Sequence, residues 1–539
     1  MKRICAFLLA IACCLSLFGC KKQAEPTPTQ EPSEVTTKAT VSDATQAPTE
    51  EEDGEEVTTK ATEDAKEPVN KRPTTTKSSK ATKVTKATEA ITKTTQATKA
   101  TKVPASTPIK TPEATQAVAT QSTQAAGHEH TFGEWVLQEA ASCIAEGKEV
   151  RRCSVCGFAE NRALPLEDHK LNDSNLCKTC RKVIFDDNAP LVELGVVSDA
   201  LYGSGAKANT PWDVKCWNGK VYRASGDYDK NSGASILAYD VANRVWDTAY
   251  KVKDEAIHGF VEIGGKLVAP GIDATQSWEY GNYYELQADG KWKQIRNLPN
   301  GVHCFDMIEC GGKIFAGLGT EKVGNTVAVS EDGGKTFTFV PLYKDGKLCD
   351  LSKYDHSRTY EFAQLQDTAY ALVAFYTKSG SATWEIYRYE DGKMHYAAEG
   401  KTLLDGSEFS RKYFGGDFEF NGTCYLTARR LYAIKDFSDP SSWQHISMPN
   451  SGKVSDAILH DGAIYVLSSR QDIKTKIYHV IIYKSTTGEA GSFAEVASYD
   501  YSGFPLSFDY DGEHFYVGCS LNSIDQSKMG MLLRIKPQK

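Results

Sequence analysis

The chain has 539 residues, a formal net charge of −8, 24% charged and 40% hydrophobic residues. An acidic balance, with no basic stripe interleaved with aromatics outside one Thr/Lys-rich stretch, argues against a nucleic-acid partner. The length excludes a single small domain, and the composition changes abruptly along the chain.

Met1-Lys2-Arg3 precede an apolar run over 4–18 and then Gly19-Cys20. A basic start, an apolar middle too short to remain a span and a small residue before the cut predict a signal peptide over 1–19. Leu17-Phe18-Gly19-Cys20 resembles the lipobox of bacterial lipoproteins. That resemblance implies lipidation of Cys20, which then begins the mature chain. It implies an anchor on the extracellular face of the cytoplasmic membrane. Each buried CH₂ of a lipid adds about 0.8 kcal/mol, so a multiply acylated Cys20 holds firmly. No later run is long and apolar enough to span.

Residues 20–127 are Thr, Lys, Ala, Pro, Glu, Gln and Ser for the most part, without one aromatic. Such a stretch cannot bury enough apolar area to offset its ordering entropy, so a long disordered linker is predicted. Its function would be to carry the globular part of the chain away from the membrane and through a cell wall.

Over 128–184 the Trp, Cys and His content rises. Cys153-Ser154-Val155-Cys156 and Cys177-Lys178-Thr179-Cys180 are two Cys-x-x-Cys knuckles. Their spacing predicts a zinc site built from Cys153, Cys156, Cys177 and Cys180, because each tight turn can offer two thiolates to one ion. Cys143, His169, His130 and His128 are alternate ligands. Cys143, Cys153 and Cys156 could take a His and leave the second knuckle to another ion. Disulfides are the alternative in an exported chain. Either crosslink suits a stretch with too little core to stand alone. The region from His130 through Gly157 also resembles a small module repeated in surface proteins of Gram-positive anaerobes. The resemblance implies a structural or adhesive role, and a Gram-positive bacterium as the setting.

The rest, 190–539, repeats a strand, a polar-Gly turn and an apolar strand. Trp217-Asn218-Gly219-Lys220-Val221-Tyr222 is the first copy. The pattern returns at Gly264-Gly265, Gly311-Gly312, Asn421-Gly422, Asp461-Gly462 and Asp511-Gly512, with a weaker copy at Gln366-Asp367. The steps are about 40–55 residues, and each copy is followed by a second turn and an aromatic or Met, such as Trp246, Trp292 and Met394. Two hairpins per copy make four strands, and seven copies predict a seven-bladed β-propeller. The blade pattern resembles kelch and WD repeats. The last copy lacks a fourth strand, so the spare apolar stretch 191–197 is predicted to complete it and close the ring. Cys216, Cys304, Cys310, Cys349, Cys424 and Cys519 have no paired spacing and read as free thiols.

Ser330, Asp332, Gly334, Thr336 and Phe337 form a motif that looks like the Asp-box of sialidases and related propellers. The resemblance implies a hairpin brace and a fold, not an activity. The scattered Arg residues do not supply that family's catalytic set. Carboxylates such as Asp306, Asp417, Asp456 and Asp509 read as turn and cap residues, and no cofactor is expected in the propeller. Trp278, Tyr280, Tyr283 and Tyr284 are a candidate ligand loop whose rings could stack on sugars. The predicted function is recognition of an extracellular glycan or protein. A glycoside hydrolase, sialidase-like or other, and a protein scaffold of the cell envelope are the alternatives.

Overall fold

The computed structural model describes residues 128–195, 210–226, 233–320, 324–400, 417–427, 430–520 and 525–538. The signal peptide, Cys20 and the linker lie outside the described residues. Among those described, no helix is long and apolar enough to cross a membrane.

Seven four-stranded antiparallel blades follow one another. Their innermost strands are Val214–Trp217, Val261–Ile263, Gly301–Cys310, His356–Leu365, Phe418–Phe420, Lys453–His460 and Phe504–Tyr510, in blades 1 to 7. Each turns at the repeated hairpin. Asn218 and Gly219 sit at φ 49° and 76°, Asp461 and Gly462 at 46° and 70°. This pair of positive φ values matches the right-handed twist of the strands and suits Asn-Gly and Asp-Gly. Gln366 and Asp367 adopt the same pair, 51° and 58°, without glycine.

The ring closes as expected. Leu191–Gly195 pairs antiparallel with Leu532–Ile535, Leu191 opposite Ile535, as the fourth strand of blade 7. Val196 and Val197 fall outside the described residues. This pairing covers an edge that would otherwise expose free N–H and C=O groups. Blade 4 carries an unforeseen addition. Leu342–Lys344 runs parallel to its outer strand Lys393–Glu399, with Leu342 opposite Met394.

The blades bury apolar residues against each other. The residue opening most outer strands turns inward: Trp246, Trp292, Met394 and Phe493 are all buried. Cys304, Cys310, Cys424 and Cys519 are buried free thiols, as read from the sequence.

The Cys/His module begins as a three-stranded sheet, Val136–Glu139, Gly147–Arg152 and Ala159–Leu164. Its second half does not stand apart from the propeller. Leu176 and Val183 are buried in one core with Leu194 of the closing strand, Trp246 of blade 1 and Tyr516 and Leu532 of blade 7. The Val183 amide donates to Arg244 O at 2.8 Å, and Lys182 bridges Val245. A boundary at 184–190 therefore crosses a packed core, because apolar residues on both sides of it bury the same surface.

Ser330, Asp332, Gly334 and Thr336 brace their own hairpin. Asp332 Oδ1 accepts from the Thr336 amide at 2.9 Å and from Ser330 Oγ at 2.8 Å, and Oδ2 accepts from Thr336 Oγ1 at 2.7 Å. Ser330 Oγ accepts from the Gly334 amide at 2.8 Å. Phe337 is buried beside Tyr283. The Thr336 hydroxyl and amide hold the Asp332 carboxyl far below the usual carboxylate range. Asp332→Ala should lower the melting temperature modestly and leave the far-UV circular dichroism spectrum of the folded chain unchanged. A thermal melt followed by circular dichroism checks both.

Candidate functional site

The inner strands carry a repeated device. Asp213, Asp306, Glu361 and Asp456 stand at one offset from their hairpins (213 to 218, 306 to 311, 361 to 366, 456 to 461). Bulges at Cys304/Asp306, Thr359/Glu361, Val454/Asp456 and Pro505/Ser507 re-aim the strand there. The aspartates then staple neighbouring blades. Asp213 Oδ2 accepts from the Phe260 amide at 2.8 Å, Asp306 Oδ2 from Phe362 at 2.8 Å and Asp456 Oδ2 from Phe508 at 2.9 Å. Asp509 Oδ2 accepts from the Cys216 amide at 2.8 Å, across the seam where the ring closes. The other oxygen of each takes the next amide of its own chain, as Asp456 Oδ1 does from Ala457 at 2.8 Å. These carboxylates are therefore more than turn caps: they tie one blade to the next.

They line a central cavity of about 190 Å³. Burial pushes the Asp213 carboxyl up to about 6, Asp306 to about 7 and Asp417 to about 8, although each keeps part of its surface open to the cavity. Burial also raises Asp456 well above the carboxylate range. Lys215 Nζ lies 3.6 Å from Asp509 Oδ2.

Two of the bulged residues, Phe305 and Tyr360, are aromatic and line the same cavity. Phe305 stacks on Tyr360 with centroids 4.6 Å apart, and His303 stacks on Phe305 at 5.0 Å. Tyr360 meets Trp384 at 5.3 Å, and its hydroxyl is 2.8 Å from that of Tyr376. Arg358 lies over Phe305 and Tyr376, and Asp273 Oδ1 holds His303 Nδ1 at 2.9 Å. Tyr376, Trp384 and Arg358 are half-buried. The result is a continuous aromatic cluster with one guanidinium and one His–Asp pair, in which Phe305, Tyr360 and His303 are buried and Tyr376, Trp384 and Arg358 form the accessible ledge. Such surfaces offer flat apolar faces and a few fixed polar groups to a ligand.

The expected ligand loop divides. Trp278 and Tyr280 are exposed at 39% and 42%, but Tyr283 and Tyr284 are buried in a strand of blade 2. Tyr283 donates to Gly334 O at 3.1 Å, and the Tyr284 hydroxyl donates to Asp254 Oδ2. Strand alternation and cross-blade packing turn these two rings inward, so they serve the core. The cluster went unread because its residues come from separate blades. Trp212-Asp213, Phe305-Asp306 and Tyr360-Glu361 share an aromatic-acid pair at one offset, a signal that could have found it.

In the module the structure separates the two knuckles. Cys153 and Cys156 group with His128 and His130; Cys177 and Cys180 group with Cys143 and His169. In each set the donor atoms lie within 4.8 Å of one another. The reason for the separation is topological. Ala159–Leu164 pairs back onto Gly147–Arg152, while the turn after Val136–Glu139 delivers Cys143 to the second knuckle. Either partition satisfies four ligands per ion, so spacing alone could not choose. The thiols are free, with Cys143 and Cys177 sulfurs 3.7 Å apart. Zn–S bonds of about 2.3 Å and Zn–N bonds of about 2.0–2.1 Å in a tetrahedron require S···S edges of about 3.8 Å and S···N edges of about 3.6 Å. The S···N separations are 3.6 Å for Cys153–His128, 3.4 Å for Cys156–His130 and 3.4 Å for Cys180–His169. The Cys156 and Val155 amides pull the Cys153 thiol down to about 5. In Cys177, burial raises the thiol, but the Cys180 and Thr179 amides and His169 outweigh it and bring it to about 6. One thiol of each knuckle is thus drawn toward the thiolate, the form that binds metal, while burial and the neighbouring Cys177 and Cys180 push Cys143 up to about 11.

No protein-family model matches the chain, and no curated protein matches it. Solved structures similar to it include the propeller domain of the Trilobed protease from Pyrococcus furiosus (10% identity, TM-score 0.28, 64% of this chain and 88% of that one). An alpha-L-arabinanase from Penicillium chrysogenum is another (12%, 0.30, 62% and 97%). A puromycin hydrolase is a third (11%, 0.36), covering 58% of this chain but only 50% of its own.

Proposed function

We propose that the protein is a recognition module held outside the membrane through Cys20, with a glycan as the ligand of the propeller rim. The observation that carries the reading is the half-buried Trp384 and Tyr376, backed by the buried, stacked Phe305–Tyr360 pair. Sugar rings present apolar C–H faces that pack on such rings, while Arg358 and the His303–Asp273 pair supply polar contacts to hydroxyls or an acidic group. The test is a glycan array and a hydrolysis screen on the chain carrying Cys20→Ser, sialylated reporters included. Binding without turnover is the expected result. Trp384→Ala should weaken it by about tenfold or more, on the order of 1.4 kcal/mol. Turnover would replace this reading with a glycoside hydrolase, and a blank in both screens would replace it with a protein partner.

The module's two tetrads are read as zinc sites, one Cys₂His₂ and one Cys₃His. The support is their donor chemistry and their near-tetrahedral edges. Elemental analysis should find two zinc ions per chain, and Cys153→Ser should remove one. Cobalt substitution should give bands of tetrahedral thiolate coordination, weakened by a chelator.

A further inference from the structure

The second tetrad begins a continuous path that ends in the strand closing the ring. Cys177 starts a tight turn in which its amide donates to Lys182 O at 2.8 Å and its carbonyl accepts from Arg181 at 2.9 Å. Leu176 and Val183, which flank this turn and bridge each other, are 3% and 0% exposed. The turn then lies along the outer strand of blade 1: the Trp246 amide donates to Arg181 O at 3.2 Å. Phe185 comes next, under the guanidinium of Arg244 from blade 1 and that of Arg534 from blade 7, each 4.4 Å from its ring. Asp187 takes a two-pronged contact from Arg244 at 2.6 and 2.7 Å, and its carbonyl accepts from Arg534 at 3.2 Å. Four residues later the chain becomes Leu191–Gly195. Its Leu194 carbonyl accepts from Trp246 Nε1 at 2.8 Å. The segment thus crosses the seam between the first and last blades, anchored at its start by Cys177 and Cys180.

Resting on the zinc reading of the module, we propose that the ion at Cys143, His169, Cys177 and Cys180 is a clasp for ring closure. It fixes the turn that holds Leu176 and Val183 against Leu194 and Trp246. The ion at His128, His130, Cys153 and Cys156 has a local task. Its ligand His130 packs on the Phe132 and Phe158 rings, and the ion orders the module's own sheet. A turn this short has no core of its own, so a crosslink to Cys143 and His169 is what keeps it in one geometry. Losing that ion frees the start of the path, and the closing strand then detaches more often.

The experiment is hydrogen exchange on the zinc-loaded full chain. It compares Cys177→Ser/Cys180→Ser with Cys153→Ser/Cys156→Ser, with zinc counted in every sample. Both variants should lose one ion. Exchange at 191–195 and 532–535 should quicken by about tenfold or more only in the Cys177/Cys180 variant, with the inner strand of blade 4 unchanged. If that variant does not fold, the wild-type chain is stripped with a chelator and zinc is returned. Slow exchange at 191–195 should then be restored. One zinc lost with exchange unaltered, or equal quickening from both variants, overturns the clasp and leaves the zinc reading standing. No zinc in the wild-type chain overturns both.

Discussion

Trp246→Ala should lower the unfolding free energy of the propeller by about 3–5 kcal/mol, the range for truncating a buried large aromatic. Trp246 is 1% exposed and packs on Tyr239 with centroids 5.4 Å apart. Its ring shares a core with Leu176, Val183, Val192 and Leu194, and with blades 1 and 7. Truncation would leave a cavity at the point where three parts of the chain meet, and would orphan the Leu194 carbonyl now served by Nε1 at 2.8 Å. Trp246→Phe fills most of the cavity but not the hydrogen bond, and should cost about 1–3 kcal/mol. Urea titration of the two variants separates the contributions. An unchanged midpoint in Trp246→Ala would show that this core does not hold the ring.

Asp456→Ala is expected to cost about 2–4 kcal/mol, because it leaves the Ala457 and Phe508 amides buried without an acceptor. Asp456 is 4% exposed, and its two oxygens accept at 2.8 and 2.9 Å. Asp456→Asn keeps one acceptor and should cost less. The same staples set a pH dependence. Burial raises Asp213 to about 6 and Asp306 to about 7, from 3.8 in the unfolded chain. Between those values the folded state holds protons that the unfolded chain has released, so stability falls as pH rises. These two carboxyls should therefore contribute more to the melting temperature at pH 5 than at pH 8. Exposed acids such as Asp332 and Asp472, held below the usual range by local hydrogen bonds, oppose this only at lower pH. His356 and His514, lowered by burial, and the lowered Cys153 and Cys177 thiols oppose it within the window. The carboxylate contribution is therefore read as the difference between wild type and Asp306→Asn. A wild-type advantage over Asp306→Asn that does not shrink from pH 5 to pH 8 would contradict Asp306 as a staple whose carboxyl is raised by burial.

Some features were legible because they are local. Asn218-Gly219 and Asp461-Gly462 announce hairpins through the positive φ that their turns need, wherever the chain goes next. The spare strand at 191–195 was legible from bookkeeping, since a blade with three strands needs a fourth. Ser330, Asp332 and Thr336 bond within a few residues of one another, so their brace could be read directly. Tyr283 and Tyr284 were misjudged because adjacent residues of a strand face opposite sides, and here both sides are covered by packing.

By itself the sequence determined the class of this protein: a repeating β architecture, its number of blades, its hairpin turns and the Cys and His composition of its small module. These come from residue type and short spacing, which act over a few residues. The tertiary structure alone decided which cysteine joins which knuckle, that the module packs into the ring seam, and that Phe305, Tyr360 and Trp384 meet in one cluster. Those outcomes rest on contacts such as Asp509 with Cys216 and Leu176 with Trp246. They join positions far apart in the chain, and burial of a shared apolar surface, rather than any local preference, selects them.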